Sequence, residues 1–155
     1  MATREIRKDD DPCLRKVCRP VEKIDEKIQT LIDDMFETMY AANGVGLAAP
    51  QVGIIRRLFI IDTDGESPLV FINPKIIETS GEEERTEGCL SSPGEFGRII
   101  RPTKVTVTAT DRNGEEFTLT TEDLLLAQAI CHENDHLDGH LFKDKVIRML
   151  KDDEL

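Results

Sequence analysis

The feature that most constrains the fold of this chain is the segment 124–130, LLLAQAI, in which all but one residue is apolar. A helix that is apolar nearly all round must be surrounded by protein. Thr121 suits the start of such a helix because its hydroxyl can cap the first turn, and Glu122 and Asp123 favour the positive end of the helix dipole. Gly139 is a natural C-terminal stop. We therefore expect a buried helix between Thr121 and Gly139.

A second helix is predicted for residues 25–42. Its apolar residues recur at spacings of three and four, and Asp25 can cap its start. Asn43 and Gly44 follow and stop it. The pattern is typical of a helix with one face against the core.

Strands are predicted where short aliphatic runs alternate with turn-forming residues. The runs 57–61 and 69–73 are separated by DTDGESP, and 104–110 alternates apolar and polar residues before a DRNG turn and a return strand at 115–120. We interpret the run EEER from Glu82 as a solvated loop. The expected fold class is α+β, with short, mostly antiparallel sheets surrounding the central helix.

Composition narrows the class of protein. The length of 155 residues fits one domain, residues 1–155, and no apolar run could span a bilayer. The N-terminus is charged from the fourth residue and lacks the apolar core of a secretory signal, so we expect a cytoplasmic protein with reduced thiols. Its net charge of -11 repels phosphate backbones. We expect neither membrane insertion nor direct nucleic-acid binding.

All three histidines of the chain lie in the stretch CHENDHLDGH. On a helix, His132 and His136 lie on one face about 6 Å apart and can present two imidazoles to one ion. Glu133 then lies beside the ion without necessarily binding it, as a base that takes a proton from metal-bound water does. The arrangement, HExxH, predicts that the central helix carries metal ligands.

A catalytic metal of this type usually has a third protein ligand and one open position. The peptidase pattern HExxHxxGxxH almost fits, because Gly139 comes three residues after His136. Its third histidine would fall at Phe142, however, and His140 comes two residues too early. The third ligand must come from elsewhere in the chain.

Cysteine is the best remaining ligand type. Cys131 points about 100° away from His132 on the helix and is expected to pack rather than bind. Cys13 and Cys18 lie in a polar segment with no other ligand type nearby. Cys89 lies in the glycine-flanked, turn-rich stretch EGCLSSPGEFG, where the backbone can bend to offer a thiolate. Elimination therefore favours Cys89.

Three segments together are similar to the signature motifs of the bacterial peptide deformylases. They are GVGLAAPQ (44–51), EGCLS (87–91) and HENDH (132–136), and the likeness extends over nearly the whole chain. The resemblance implies removal of the formyl group from N-terminal formyl-methionine of nascent peptides, with release of formate. It implies Cys89, His132 and His136 as ligands of one divalent ion, Fe2+ in the cell, with Zn2+, Ni2+ or Co2+ able to occupy the site.

The resemblance also implies roles for residues around the ion. Glu133 is the proton carrier, and the side-chain amide of Gln51 and the backbone N–H of Leu90 face the formyl oxygen. Glu87 and Arg101 resemble a pair that supports the metal-binding loop; otherwise they would be a surface ion pair of little energetic value.

The same resemblance implies a peptide-binding groove. Gly44 and Gly46 allow close approach of an extended peptide, which could add to this segment as a strand. Leu125 and Ala129 share a helix face with His132, and with Val45 they are expected to line an apolar pocket for the methionine side chain.

The sequence departs from the family pattern in three places. Cys131 replaces the glutamine that commonly precedes the first histidine, and Asn134 is polar where an apolar residue is usual. The nineteen residues after His136 contain no long basic helix of the kind by which some members dock on the ribosome. Proximity to the ribosome is compatible with the substrate, but we do not expect docking of that kind.

Two other functions remain open from the residues alone. A zinc endopeptidase shares HExxH, and a metal-sequestering or redox-sensing protein could use the same ligands without turnover. Formate release without backbone cleavage would reject the first, and dependence of activity on Glu133 would reject the second.

Overall fold

The computed structural model describes residues 2–155 and confirms the α+β fold. The helices are α1 (Glu26–Ala41) and α2 (Leu124–Leu137). The strands are β1 (Gly46–Ala48), β2 (Leu58–Ile61), β3 (Leu69–Ser80), β4 (Glu83–Cys89), β5 (Ser92–Arg101), β6 (Lys104–Thr110), β7 (Glu116–Thr121) and β8 (Arg148–Met149). Among residues 2–155, no helix has both the length and the apolar character needed to cross a membrane.

A five-stranded antiparallel sheet, ordered β1-β2-β3-β6-β7, lies between the two helices. Phe59 and Ile61 of β2 belong to one apolar cluster with the buried face of α2, whereas Leu58 and Ile60 belong to another with α1. Successive side chains of a strand point to opposite faces. The apolar run in β2 therefore follows from burial of both faces.

The observed start of α2 corrects the predicted one. The helix begins at Leu124, and the side chain of Asp123, rather than Thr121, caps it by accepting the backbone N–H of Leu126 at 2.9 Å. Gly139 follows the end of the helix with φ +79°, a left-handed conformation that favours glycine. A Cβ there would also lie 2.6 Å from the carbonyl oxygen of Arg15, so both the stop and the packing require glycine.

A second sheet, ordered β4-β5-β8, contains the largest error of the sequence interpretation. The predicted loop from Glu82 is wrong, because Glu83–Cys89 is a strand paired with β5 from Glu83↔Arg101 onward. Its start is charged because Glu83 and Glu84 are exposed, and Glu84 and Thr86 lie on a face covered by solvent. The other face, which includes Glu87, turns toward α2. Cys89 therefore ends a paired strand just before a tight turn, rather than lying in an irregular loop.

Candidate functional site

The structure brings Cys89, His132 and His136 together. One ligand atom from each lies within 4.8 Å of the other two. The Sγ of Cys89 is 3.3 Å from Nε2 of His136, and the two imidazole centroids are 5.0 Å apart. The thiol comes from the end of β4 and the imidazoles come from successive turns of α2.

The other three cysteines lie outside this cluster. Cys131 and Cys18 are buried in the apolar cluster between α2 and the five-stranded sheet. Burial raises the pKa of each of these two thiols to about 11. The thiol of Cys13 donates to the carbonyl of Pro50 at 3.4 Å. These three thiols are therefore held by packing or by a backbone hydrogen bond, outside the ligand cluster.

Glu87 fixes the ring of His132. One carboxylate oxygen lies 2.7 Å from Nδ1 of that ring, which leaves Nε2 to face Cys89 and His136. Burial opposes ionisation of Glu87, but hydrogen bonds from His132 and Arg101 outweigh it and lower the pKa of Glu87 to about 2. A carboxylate that binds the second ring nitrogen of a metal-binding histidine sets its orientation and raises its basicity.

Arg101 is buried rather than exposed. Its guanidinium bonds both oxygens of Glu87, at 3.0 and 2.6 Å, and reaches Asp135 of α2 at 2.9 Å. The Arg101 side chain is only 5% exposed. The alternative of a weak surface ion pair is therefore wrong, and the pair ties β4, β5 and α2 together.

Two more residues belong to this network: Asp135, for which the sequence suggests a solvated or supporting place, and Gln128, which sequence reasoning missed. Asp135 accepts from Arg101 and from Lys145, and Gln128 donates to Glu87 at 3.0 Å. Gln128 was visible only as the single polar position in LLLAQAI, one helical turn before His132. A polar residue at that spacing on a buried helix is the signal that could have identified it.

Glu133 is a buried carboxylic acid beside the ligand cluster. Its Oε2 lies 4.0 Å from Nε2 of His132, and its Oε1 has no hydrogen-bond partner among the described residues. Burial raises the pKa of Glu133 to about 7. A Cβ on Gly46 would lie 2.6 Å from this carboxyl group, so glycine lets β1 pass directly over it.

Gln51 presents its amide nitrogen to the same cluster. Its Oε1 accepts the backbone N–H of Ala48 at 2.9 Å, which fixes the orientation of the amide. Its Nε2 then lies 3.4 Å from Sγ of Cys89 and 3.1 Å from Oγ of Ser91. Leu90 follows Cys89 in the turn between β4 and β5 and lines the same cavity.

A cavity of ≈ 650 Å³ opens beside these groups. Its lining includes every residue expected from the sequence to contact a peptide: Gly44, Val45, Gly46, Leu125 and Ala129. β1 is an edge strand of its sheet, with β2 as its one neighbour. The structure thus places a strand edge, an apolar wall and the ligand cluster around one cavity.

The donor set fits a divalent cation. One thiol and two imidazoles match zinc and other borderline-soft ions, and three ligands leave a coordination position free. Burial lowers the pKa of His136 well below its usual value, which keeps this ring neutral, as a ligand must be. Burial also opposes charge on His132, but nearby Glu133 and Cys89 and the bond to Glu87 raise its pKa, and the same negative groups favour a bound cation at this position.

Comparisons with known proteins agree over the whole chain. The family model described as polypeptide deformylase matches residues 3–152. The peptide deformylase of Acetivibrio thermocellus is 56% identical over 155 residues, which cover 100% of this chain and 90% of the relative. Peptide deformylase 1 of Clostridium acetobutylicum is 60% identical over 146 residues, covering 94% and 96%. The crystal structure of a peptide deformylase from Legionella pneumophila superposes with a TM-score of 0.90 at 50% identity, covering 94% of this chain and 86% of that one.

Proposed function

The chain belongs to the polypeptide deformylase family, and from that membership we propose specific roles for its site residues. The protein is a hydrolase that removes the formyl group from the N-terminal formyl-methionine of nascent peptides and releases formate. The observation that carries the proposed roles is a Cys–His–His cluster beside the buried carboxyl group of Glu133, one oxygen of which has no hydrogen-bond partner among the described residues.

We propose that Cys89, His132 and His136 bind one divalent ion, Fe2+ in the cell, and that Zn2+, Ni2+ or Co2+ can replace it. When bound, the ion supplies a Lewis acid that polarises the formyl carbonyl and makes a water molecule more acidic. Glu87 and Arg101 support these three ligands: Glu87 orients the His132 ring through its Nδ1 atom, and Arg101 holds Glu87 in place.

Glu133 carries the proton in this proposal. Its carboxylate accepts a proton as water attacks the formyl carbon, and it delivers that proton to the departing amine. A pKa near the working pH suits both steps, because the same group must accept and then release. The oxygen without a protein partner is free to make the required contact.

Gln51 and Leu90 stabilise the charge that develops on the formyl oxygen. The amide of Gln51 is held by Ala48 before substrate arrives, so its N–H groups need not reorient. Loss of such a donor typically costs roughly 3 kcal/mol of transition-state stabilisation. The backbone N–H of Leu90 provides a second donor from the turn after Cys89.

The peptide lies along β1 in this proposal. The free edge at Gly44, Val45 and Gly46 pairs with the peptide backbone as an added strand. The first side chain enters the cavity beside Leu125 and Ala129. We place the activity in the cytoplasm, close to the ribosome, with residues 1–155 acting as one catalytic domain.

The ligand assignment can be tested with a matched pair of thiol variants. Cys89→Ala and Cys131→Ala both remove a thiol from α2 or its immediate surroundings, but only Cys89 belongs to the cluster. Protein purified without oxygen is assayed for bound metal and for formate released from formyl-Met-Ala-Ser. We expect Cys89→Ala to lose both metal and activity, and Cys131→Ala to keep both. Equal losses in the two variants would overturn the assignment.

Incubation of the metal-loaded protein with formylated and unformylated peptides separates the two other functions that the sequence left open. An endopeptidase would cleave a longer unformylated peptide, whereas the proposed activity leaves its backbone intact. A protein that only sequesters metal would release no formate at any concentration of enzyme.

A further inference from the structure

Strand β4 and helix α2 form a three-step ladder of side-chain pairs. Its pairs are Cys89 with His136 at 3.3 Å, Glu87 with His132 at 2.7 Å, and Arg85 with Gln128 at 2.8 Å. Two residues of strand advance about 6.6 Å and four residues of helix about 6 Å, so the two elements stay in register. The first two pairs belong to the metal centre. In the third pair, Gln128 also donates to Glu87, but Arg85 bonds no residue of the centre.

In the third pair, only Gln128 is held in place by further residues. Gln128 is fixed because its amide nitrogen donates to the carbonyl of Thr86 and to Glu87, both at 3.0 Å. Its oxygen therefore faces Nε of Arg85, which uses one of the five N–H donors of that guanidinium. Among residues 2–155, Arg85 pairs with no carboxylate, in contrast to Arg101 and Arg98.

This half-buried cation lines the substrate cavity. Arg85 and Gln128 share the lining with Leu125 and Ala129, the wall that receives the first side chain in the proposed function. Gln128 lies one helical turn before His132, so the pair is one step of the ladder away from the ligands. An unbranched side chain that extends along this wall from the ligands would reach the Arg85–Gln128 pair, because that pair is the next step of the ladder after Glu87 and His132.

We propose that Arg85, positioned by Gln128, sets the specificity of the cavity for the tip of the first side chain. Its free N–H groups hydrogen-bond an acceptor at that tip, so formyl-methionine sulfoxide is a substrate along with formyl-methionine. Oxidation turns the thioether into a polar group with an exposed oxygen acceptor. An apolar wall alone would reject that oxygen, because it would lose its bonds to water and gain none.

The inference rests on the proposed function and can fail independently of it. Three peptides differ only at the first side-chain tip: formyl-Met-Ala-Ser, formyl-norleucyl-Ala-Ser and formyl-(methionine sulfoxide)-Ala-Ser. Formate release gives kcat/KM for each, and the ratio of sulfoxide to norleucine is the readout. A change in folding or metal content alone alters all three values together and leaves this ratio unchanged.

We expect Arg85→Leu to lower the ratio by about tenfold to a hundredfold, the discrimination due to a hydrogen bond from a charged donor. Arg85→Gln removes the same charge with a polar side chain and should also lower the ratio if the leucine variant is unstable. Arg98→Leu is the matched control, because it removes a cation from the same sheet that pairs with Glu84 outside the cavity. It should leave the ratio unchanged.

A ratio unaffected by both Arg85 variants, or equally affected by Arg98→Leu, would overturn the inference while leaving deformylation of formyl-Met-Ala-Ser intact. Absence of formate from all three peptides in the wild-type protein would instead overturn the proposed function.

Discussion

The two sides of α2 are built on different principles. Toward the five-stranded sheet, the helix packs Ala127, Ile130, Cys131 and Leu137 into an apolar cluster. Toward β4, it presents Gln128, His132 and His136, and each has a specific partner on the strand. Packing depends on volume and tolerates exchanges of similar size, whereas paired polar groups depend on atom type. We therefore expect the sheet side to control stability and the β4 side to control chemistry.

The largest effect should come from Glu133→Gln, which keeps the shape of the side chain but removes its capacity to accept a proton. We expect formate release to fall by about 10² to 10⁴-fold, the usual contribution of a positioned acid–base group. Bound metal and the midpoint of thermal unfolding should stay at wild-type values. Unchanged turnover in this variant would remove Glu133 from the reaction.

On the sheet side, Ile130→Ala should lower the free energy of unfolding by about 2–5 kcal/mol, because Ile130 is fully buried and its truncation leaves a cavity. Urea denaturation measures the change. The kcat/KM per folded molecule should remain within a few-fold of wild type. Ile147→Ala is the control, since that side chain is 56% exposed and should lose little stability. A thousandfold loss of activity in Ile130→Ala would break the division between the two sides.

Glu87→Gln tests the side of α2 that faces β4. Glu87 contacts the ligand His132 but does not belong to the ligand cluster. The amide cannot provide the charge that orients His132 and compensates Arg101, so metal affinity should fall by about 10- to 100-fold. Competition with a chelator measures it. Glu84→Gln is the control, because that exposed carboxylate pairs with Arg98, outside the cavity. Equal metal affinity in Glu87→Gln and the wild type would show that the ring needs no such support.

The smallest effect is expected from Cys131→Ser, which places a hydroxyl in the apolar cluster at nearly constant volume. We expect a loss of about 1 kcal/mol in the free energy of unfolding, because a buried hydroxyl without a partner is unfavourable. Metal content and turnover should not change. Altered metal content would mean that the sheet side of α2 also influences the site.

Local patterns were sufficient to predict the elements whose sequence has a clear period. α1 lies where the spacing of apolar residues predicted it, with Asp25 as its cap, and the hairpin of β6 and β7 follows the alternation around DRNG. β4 was missed because most of its residues are charged: Glu83 and Glu84 are exposed, whereas Arg85 and Glu87 have partners on α2. That helix lies far along the chain, so no local pattern shows these partnerships.

The candidate site likewise contains residues that the sequence predicts and partners that only the fold brings together. The spacing of His132 and His136 was enough to place two imidazoles on one face of a helix. Elimination among four cysteines favoured Cys89, which the structure places within 4.8 Å of both rings. The partnership of Arg101 with Asp135 joins residues 34 positions apart in sequence, and only the fold brings them together.

If the peptide pairs with β1 as proposed, the position of this strand at the edge of its sheet has a consequence for the range of substrates. Pairing along a strand edge uses N–H and C=O groups that every residue possesses, so it is indifferent to sequence beyond the first side chain. A groove of this kind can accept the beginnings of very different proteins, as an enzyme that acts on many newly made chains requires.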